Sequence, residues 1–238
     1  MESLPRKVIA EFLGSVLLAA LVIGSGIAAQ RLSPDDVGLQ LLENAAATST
    51  GLYAIILMFG PVSGGHFNPV VSLVDATLGG LAWRHVLVYV PAQVAGCVGG
   101  AVLANVMFAV DPVSVSTTER ATVAHSVSEV VATFGLLLVI FALVRSGRGA
   151  QAPAAVGAYI GAAYFFTSST SFANPAISVG RMFSDTFAGI APSSVPAFIL
   201  MQLTGAALAV LAIRALYPDA TTGSAGAPQQ PAVSSVES

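Results

Sequence analysis

Ser63-Gly64-Gly65-His66-Phe67-Asn68-Pro69-Val70 in the first half of the chain is matched by Phe172-Ala173-Asn174-Pro175-Ala176 in the second. Asn is a favoured helix N-cap and Pro is favoured in the first helical turn. Each stretch therefore predicts a helix that starts at its Asn-Pro pair. A single Asn-Pro pair is an ordinary loop-to-helix turn. Two of them at equivalent places in a very apolar chain predict helix starts placed mid-membrane, the mark of a pore or carrier built from an inverted repeat.

The surroundings of these motifs are membrane-like. Of 238 residues, 55% are hydrophobic and only 9% charged, with mean hydropathy +0.82. A soluble domain has roughly 25% charged residues. Six apolar stretches, near 8–29, 45–61, 84–109, 122–144, 152–168 and 194–216, are long enough to cross a bilayer, which requires roughly 17–25 residues. Arg6 and Lys7 ahead of the first run imitate a signal peptide, but the run is too long for one and contains Glu11. It reads as the first span.

Charge orients the spans. With the N-terminus inside, the cytoplasmic side receives Arg6, Lys7, Arg84, Arg145, Arg148 and Arg214, and the outside Arg31, Arg120 and Arg181. That distribution obeys the positive-inside rule and predicts a multi-pass protein of the cell (plasma or inner) membrane with both termini cytoplasmic. The Arg-rich, Ala-rich composition points weakly to a bacterial source. The net charge of −3 without a basic run argues against a nucleic-acid partner. The single cysteine, Cys97, excludes an intramolecular disulfide and reads as a small packing residue. No His/Cys/acid cluster has metal-ligand spacing, so neither an enzyme nor a cofactor site is expected, and none of the residues is assigned to catalysis or a metal. The channel unit is expected over 1–216, with repeat halves of about 6–109 and 119–216. The Pro/Ser/Ala/Gln/Gly-rich stretch 217–238 is expected to be a disordered cytoplasmic tail.

The halves share more than the Asn-Pro pair. Glu11 and Gln93-x-x-Gly96 flank the first motif as Glu129 and Gln202-x-x-Gly205 flank the second. The longer separation of Glu11 from Asn68 is attributed to a polar loop at 30–45. Three spans per half insert the second half upside down. The fold expected is an all-α membrane protein with six transmembrane helices plus two re-entrant half-helices in an inverted 3+3 repeat. Residues 68–78 and 174–184 cover about 16 Å each at 1.5 Å per residue, enough to reach halfway across. Entering from opposite sides, they meet N-terminus to N-terminus, each start bringing about half a positive charge. The Asn68 and Asn174 oxygens are expected to cap the helices while their NH₂ groups face the lumen. Irregular backbone ahead of each motif is tolerable only where it lines a wet cavity.

These residues resemble the aquaporin, or major intrinsic protein, family. Residues 63–70 resemble its first signature loop and residues 172–176 its second. Ala10-Glu11-Phe12-Leu13-Gly14 and Gln93-x-x-Gly96 are also similar to family motifs. The resemblance covers about residues 6–216. It implies a homotetramer in the lipid bilayer with one pore per subunit, centred on Asn68, Pro69, Val70, Asn174, Pro175 and Ala176. It also implies that Glu11 and Glu129 accept hydrogen bonds from the re-entrant loops; the alternative for a membrane-embedded acid is a proton relay. His66 is assigned to loop support.

Departures from the family pattern bear on the solute. Val70 stands where Ala is usual, and Ile177 where most members have Arg. By family spacing the narrow filter falls on Thr48, Ala162, Ser171 and Ile177, a set without arginine or aromatic. Such a ring is expected to be wide and to resemble that of a divergent bacterial, aquaglyceroporin-like branch associated with metalloids such as arsenite. Arg181, one turn beyond Ile177, is expected either to line the outer vestibule, replacing part of the charge lost at 177, or to snorkel to the interface. Asp75, at the repeat-equivalent position, marks the inner mouth or a solvated helix end. The function expected is a passive channel for small uncharged solutes: glycerol-like polyols, urea, neutral metalloid hydroxides such as arsenous acid, and some water. The alternative is a proton- or ion-coupled secondary transporter with broken helices.

Overall fold

The computed structural model describes residues 3–218. The proposed tail over 217–238 therefore lies almost wholly outside the described residues. Eight α-helices follow in order: α1 (Leu4–Leu32), α2 (Val37–Ser63), α3 (Pro69–Thr77), α4 (Trp83–Met107), α5 (Val123–Arg145), α6 (Ala152–Phe166), α7 (Pro175–Gly180) and α8 (Val195–Leu216). The described residues contain no strand. Helices α1, α2, α4, α5 and α8 are long and apolar enough to cross a bilayer. Helix α6, 15 residues long and led in by the 3-10 turn Gly149–Gln151, packs between α2 and α5.

The packing repeats. Helix α1 packs on α2 and α4 as α5 packs on α6 and α8, and α3 and α7 each touch both α4 and α8. The glycines of Gln-x-x-Gly set the closest approaches. A Cβ on Gly96 would fall 2.5 Å from the Phe12 carbonyl oxygen, and one on Gly205 would fall 2.6 Å from that of Val130. Without strong hydrophobic attraction between helices in lipid, such backbone contact supplies the packing. Gly205→Leu is expected to lower stability by about 1–3 kcal/mol through overpacking. Thermal unfolding in detergent measures it, with Gly99→Ala, which meets only an ordinary contact at 3.8 Å, as the unaffected control.

Two sequence expectations change here. The segment 30–45 is not a polar loop: α1 runs to Leu32, and Asp36 caps α2 by accepting from the Leu39 N–H at 2.9 Å. Gln40 and Asn44 within it are interior. Gln40 donates to the Ser33 carbonyl at 2.7 Å, and Asn44 donates to the Val22 carbonyl and to Ser25 Oγ. Hydropathy registered them as a break because it cannot see partners on α1 and in the turn after it. The half-helices are also shorter than expected. Helix α3 ends at Thr77, and α7 covers only Pro175–Gly180 before tightening into the 3-10 turn Arg181–Phe183.

Candidate functional site: a lumen between two half-helices

The two loops that precede α3 and α7 adopt backbone that few residues favour. Phe67, Thr170, Ser171 and Ala173 lie at φ of +48°, +61°, +53° and +47°, and Gly64 and Gly65 at +98° and +66°. Left-handed backbone at a non-glycine residue costs of order 1–3 kcal/mol and persists only where its surroundings impose it. Here a buried carboxylate imposes it in each half. Glu11 accepts from the backbone N–H of His66 (3.0 Å) and Phe67 (2.8 Å), from Ser63 Oγ (2.6 Å) and from Gln93 Nε2 (2.7 Å). Glu129 accepts from the N–H of Phe172 (3.0 Å) and Ala173 (2.9 Å), from Ser169 Oγ (2.7 Å) and from Gln202 Nε2 (2.6 Å). Each glutamine also donates to the second turn of its half-helix, Gln93 to Ser72 and Gln202 to Ser178, both at 3.0 Å. Both glutamates are fully buried.

The helix starts meet through an exchange. Asn68 Oδ1 accepts from the Val70 N–H, and Asn174 Oδ1 from those of Ala176 and Ile177. Asn68 Nδ2 donates to the Ala173 carbonyl and Asn174 Nδ2 to the Phe67 carbonyl, both at 2.8 Å. The NH₂ groups are thus not given wholly to the lumen. Each carries two protons, and one of them ties its half-helix to the opposite loop.

A cavity of about 620 Å³ runs past both asparagines. Its wall is largely apolar, with Leu52, Ile56, Leu136, Ile140, Val156 and Ile160 among its lining residues. Along this wall Asn68, Val71, Asn174 and Ile177 contribute from the half-helices. Pro69, Val70, Pro175 and Ala176 are buried but do not line it. Val70 instead packs in the cluster with Leu137, Phe141 and Ala206, so the Val-for-Ala change lies behind the lumen. At the end of the cavity toward Gly149 stand His66 and Asp75; at the other end stand Thr48, Tyr164, Ser171, Phe172 and Arg181.

That second end departs from the filter expected. Thr48, Ser171 and Ile177 do line the cavity, but Ala162 is exposed on the outer face of α6. The helix presents Ile160 and Tyr164 inward instead, and the Tyr164 hydroxyl lies 3.1 Å from Thr48 Oγ1. Two residues along a helix are about 200° of rotation, so Ala162 lies on the opposite face from Ile160 and Tyr164. The expected ring without arginine or aromatic is corrected too. Arg181 is only 3% exposed, lines the cavity, and stacks its guanidinium 3.5 Å from the centre of the Phe172 ring. Its Nε donates to the Ala188 carbonyl. So buried, it does not snorkel to the interface. Arg120 approaches the same ring at 5.4 Å and donates to the Gly189 carbonyl at 2.8 Å. Tyr164 and the Phe172 platform were missed from sequence; the i, i+4 pairing of Ile160 with Tyr164 on an apolar helix was the available signal.

The model of the major intrinsic protein family matches residues 1–183. The chain belongs to the major intrinsic protein family. Among relatives of this major intrinsic protein, the "Aquaglyceroporin AqpS" of Rhizobium meliloti (strain 1021) is 47% identical over 217 residues, which is 91% of this chain and 92% of the relative. The "Glycerol uptake facilitator protein" of Streptococcus pneumoniae (strain ATCC BAA-255 / R6) is 30% identical over 152 residues, 58% of this chain and 64% of the relative. The crystal structure of the aquaglyceroporin from Plasmodium falciparum superimposes with a TM-score of 0.68 at 21% identity, covering 89% of this chain and 96% of that one. At that identity the likeness concerns the fold, which is the aquaporin fold. Members of the family are membrane channels and not enzymes, and this major intrinsic protein is placed with them.

Proposed function

We propose that the chain is a passive channel for small uncharged solutes: glycerol-like polyols, urea, neutral metalloid hydroxides such as arsenous acid, and some water. The observation that carries this reading is the long cavity with an apolar wall and hydrogen-bonding groups at its two ends and its centre. An apolar wall disfavours ions, and the facing helix starts add a positive potential that repels cations and protons. The second N–H of each lumen-lining asparagine offers a donor to a hydroxyl. The names of the relatives, an aquaglyceroporin and a glycerol facilitator, point the same way.

The filter is formed by Thr48, Ser171, Ile177 and Tyr164, with the Arg181 guanidinium standing in, from one turn later, for the arginine absent at 177. The pore centre is Asn68 and Asn174, supported by Glu11, Glu129 and His66. The channel unit occupies 1–216, assembles as a homotetramer in the cell membrane, and keeps both termini cytoplasmic, in line with its positive charges. That places the Asp75 end of the lumen inside. A proton-coupled carrier is the weaker reading, because both membrane-embedded glutamates are occupied by four donors each and neither is among the residues lining the cavity.

Proteoliposome flux measurements of water, glycerol, urea and arsenous acid test the proposal. The wild-type protein is expected to pass the larger neutral solutes down their gradients without response to a proton gradient. Ile177→Arg, which adds a second guanidinium to the filter, is expected to slow glycerol and arsenous acid roughly tenfold, a barrier increase of about 1.4 kcal/mol. Equal or faster passage in the variant would overturn the filter assignment.

A further inference from the structure

Two guanidiniums share one aromatic ring at the end of the lumen where Thr48 and Tyr164 stand. Arg181 lies 3.5 Å from the centre of the Phe172 ring and Arg120 lies 5.4 Å from it. Phe172 and Arg181 are buried and Arg120 is half-buried. Like charges brought together away from water repel, and buried charges are normally paired. Among the described residues neither of these guanidiniums forms an ion pair. Arg120 donates to the carbonyls of Gly189 and Phe187, and Arg181 Nε to that of Ala188, all neutral acceptors. The acids closest in sequence are turned to other donors: Glu119 accepts from Ser193 and Ser194, and Asp185 from Thr117. Glu129, which holds the backbone N–H of Phe172, sets one negative charge against the two positive ones. One positive charge remains in excess.

The polar groups at this end are also donors. Arg181 lines the cavity, and its two terminal NH₂ groups have no acceptor among the described residues. The Thr48 and Tyr164 hydroxyls, 3.1 Å apart, have two protons and share one hydrogen bond. Whichever donates, the other's proton remains for a ligand. Asp75, the one carboxylate among the described residues that line the cavity, stands at the opposite end beside His66. A cleft with low-dielectric walls and charge of one sign focuses its field on an ion of the other sign. The same apolar wall requires that ion to shed water, which a weakly hydrated anion does most readily. Nitrate has that property, carries the single charge that is in excess, and presents a planar edge to the guanidinium fork.

We propose that this end of the lumen is a binding site for a weakly hydrated monovalent anion, held by Arg181 and the Thr48–Tyr164 pair, with Arg120 supplying charge from beside the Phe172 ring. The anion is an occupant and not a passenger: beyond it the wall is largely apolar, and the Asp75 carboxylate stands at the far end. Seated in the filter, it obstructs neutral solutes. The obstruction rests on the channel reading above; the binding does not.

Thermal unfolding of the purified full chain in detergent tests the site, with sodium nitrate replacing sodium gluconate at constant ionic strength. Nitrate is expected to raise the unfolding temperature of the wild type by about 2–4 °C at saturation, opposite to the general effect of a weakly hydrated salt. Arg120→Gln, which keeps a donor for the Gly189 carbonyl but removes the charge, is expected to need about tenfold more nitrate for the same rise, and Arg120→Lys to restore most of the response. Arg181→Gln carries the same expectation as Arg120→Gln, so a single misfolded variant leaves the test decided. No rise in the wild type, or the same nitrate dependence in both glutamine variants, overturns the site. In proteoliposomes, external nitrate is expected to slow glycerol flux through the wild type at least about twofold at saturation. Nitrate that stabilises the protein and leaves that flux unchanged overturns the obstruction. A wild type that passes no glycerol at all overturns the solute class proposed above, while the unfolding shift still decides the anion site.

Discussion

Glu129→Leu is expected to abolish the folded channel. The carboxylate receives four hydrogen bonds, from Ser169 Oγ, Gln202 Nε2 and the N–H groups of Phe172 and Ala173, all inside a fully buried pocket. Leucine would leave those donors without acceptors, at about 1–3 kcal/mol for each buried group. The loop they hold is already strained, with Thr170, Ser171 and Ala173 at positive φ, so losing them weakens the hold on the Ala173 carbonyl that accepts from Asn68. The loss, on the order of 4 kcal/mol or more, is a large share of the roughly 5–15 kcal/mol by which domains are stable. Glu11→Leu is expected to behave alike, because its bonds are the repeat-related ones. Thermal unfolding and limited proteolysis in detergent read the effect, and Asp35→Asn, in the exposed turn between α1 and α2, is the control. A Glu129→Gln protein that stays fully folded and loses only a proton-driven flux would reassign the residue to a relay.

Arg181→Ala is the change with the largest expected effect on selectivity. Removing the guanidinium empties the face of Phe172 and deletes the one arginine or lysine among the described residues that line the cavity. Glycerol and larger polyols are expected to pass roughly tenfold faster, a barrier decrease of about 1.4 kcal/mol. The conductance to protons and cations should rise measurably, while the helix-start potential at Asn68 and Asn174 persists. Folding should be weakened only modestly, since a cation–π contact contributes on the order of 0.5–2 kcal/mol and one hydrogen bond to Ala188 is lost. Arg181→Lys is expected to restore ion exclusion more than polyol selectivity, because an ammonium lacks the planar fork that stacks on a ring. Flux and conductance unchanged in Arg181→Ala would remove the residue from the filter.

Much of the fold was legible because its signals are local. The apolar runs, the Asn-Pro helix starts and the recurrence of Glu, Asn-Pro and Gln-x-x-Gly in both halves are readable one segment at a time. The pairing of each glutamate with its own loop was implied by the family resemblance, and the recurrence of the glutamate in both halves supported it. The errors came where a partner distant in sequence decides. Gln40 and Asn44 read as loop until α1 supplies their acceptors. Ala162 was carried over by a fixed spacing that ignored how the loop before Asn174 sets the rotation of α6.

By itself the sequence determined the inverted repeat, the meeting of two helix starts at Asn68 and Asn174, and the absence of arginine at position 177. The sequence left Arg181 between the outer vestibule and the interface, and the tertiary structure decided between them by putting its guanidinium on that end of the lumen. Spacing along a helix names Arg181 as the side chain that can replace the missing charge; it does not decide whether that side chain turns inward or toward the interface. Arg181 is brought to the cavity by the 3-10 turn after α7 and by the Phe172 ring under it, and both are products of packing between elements and not of the spacing along the chain.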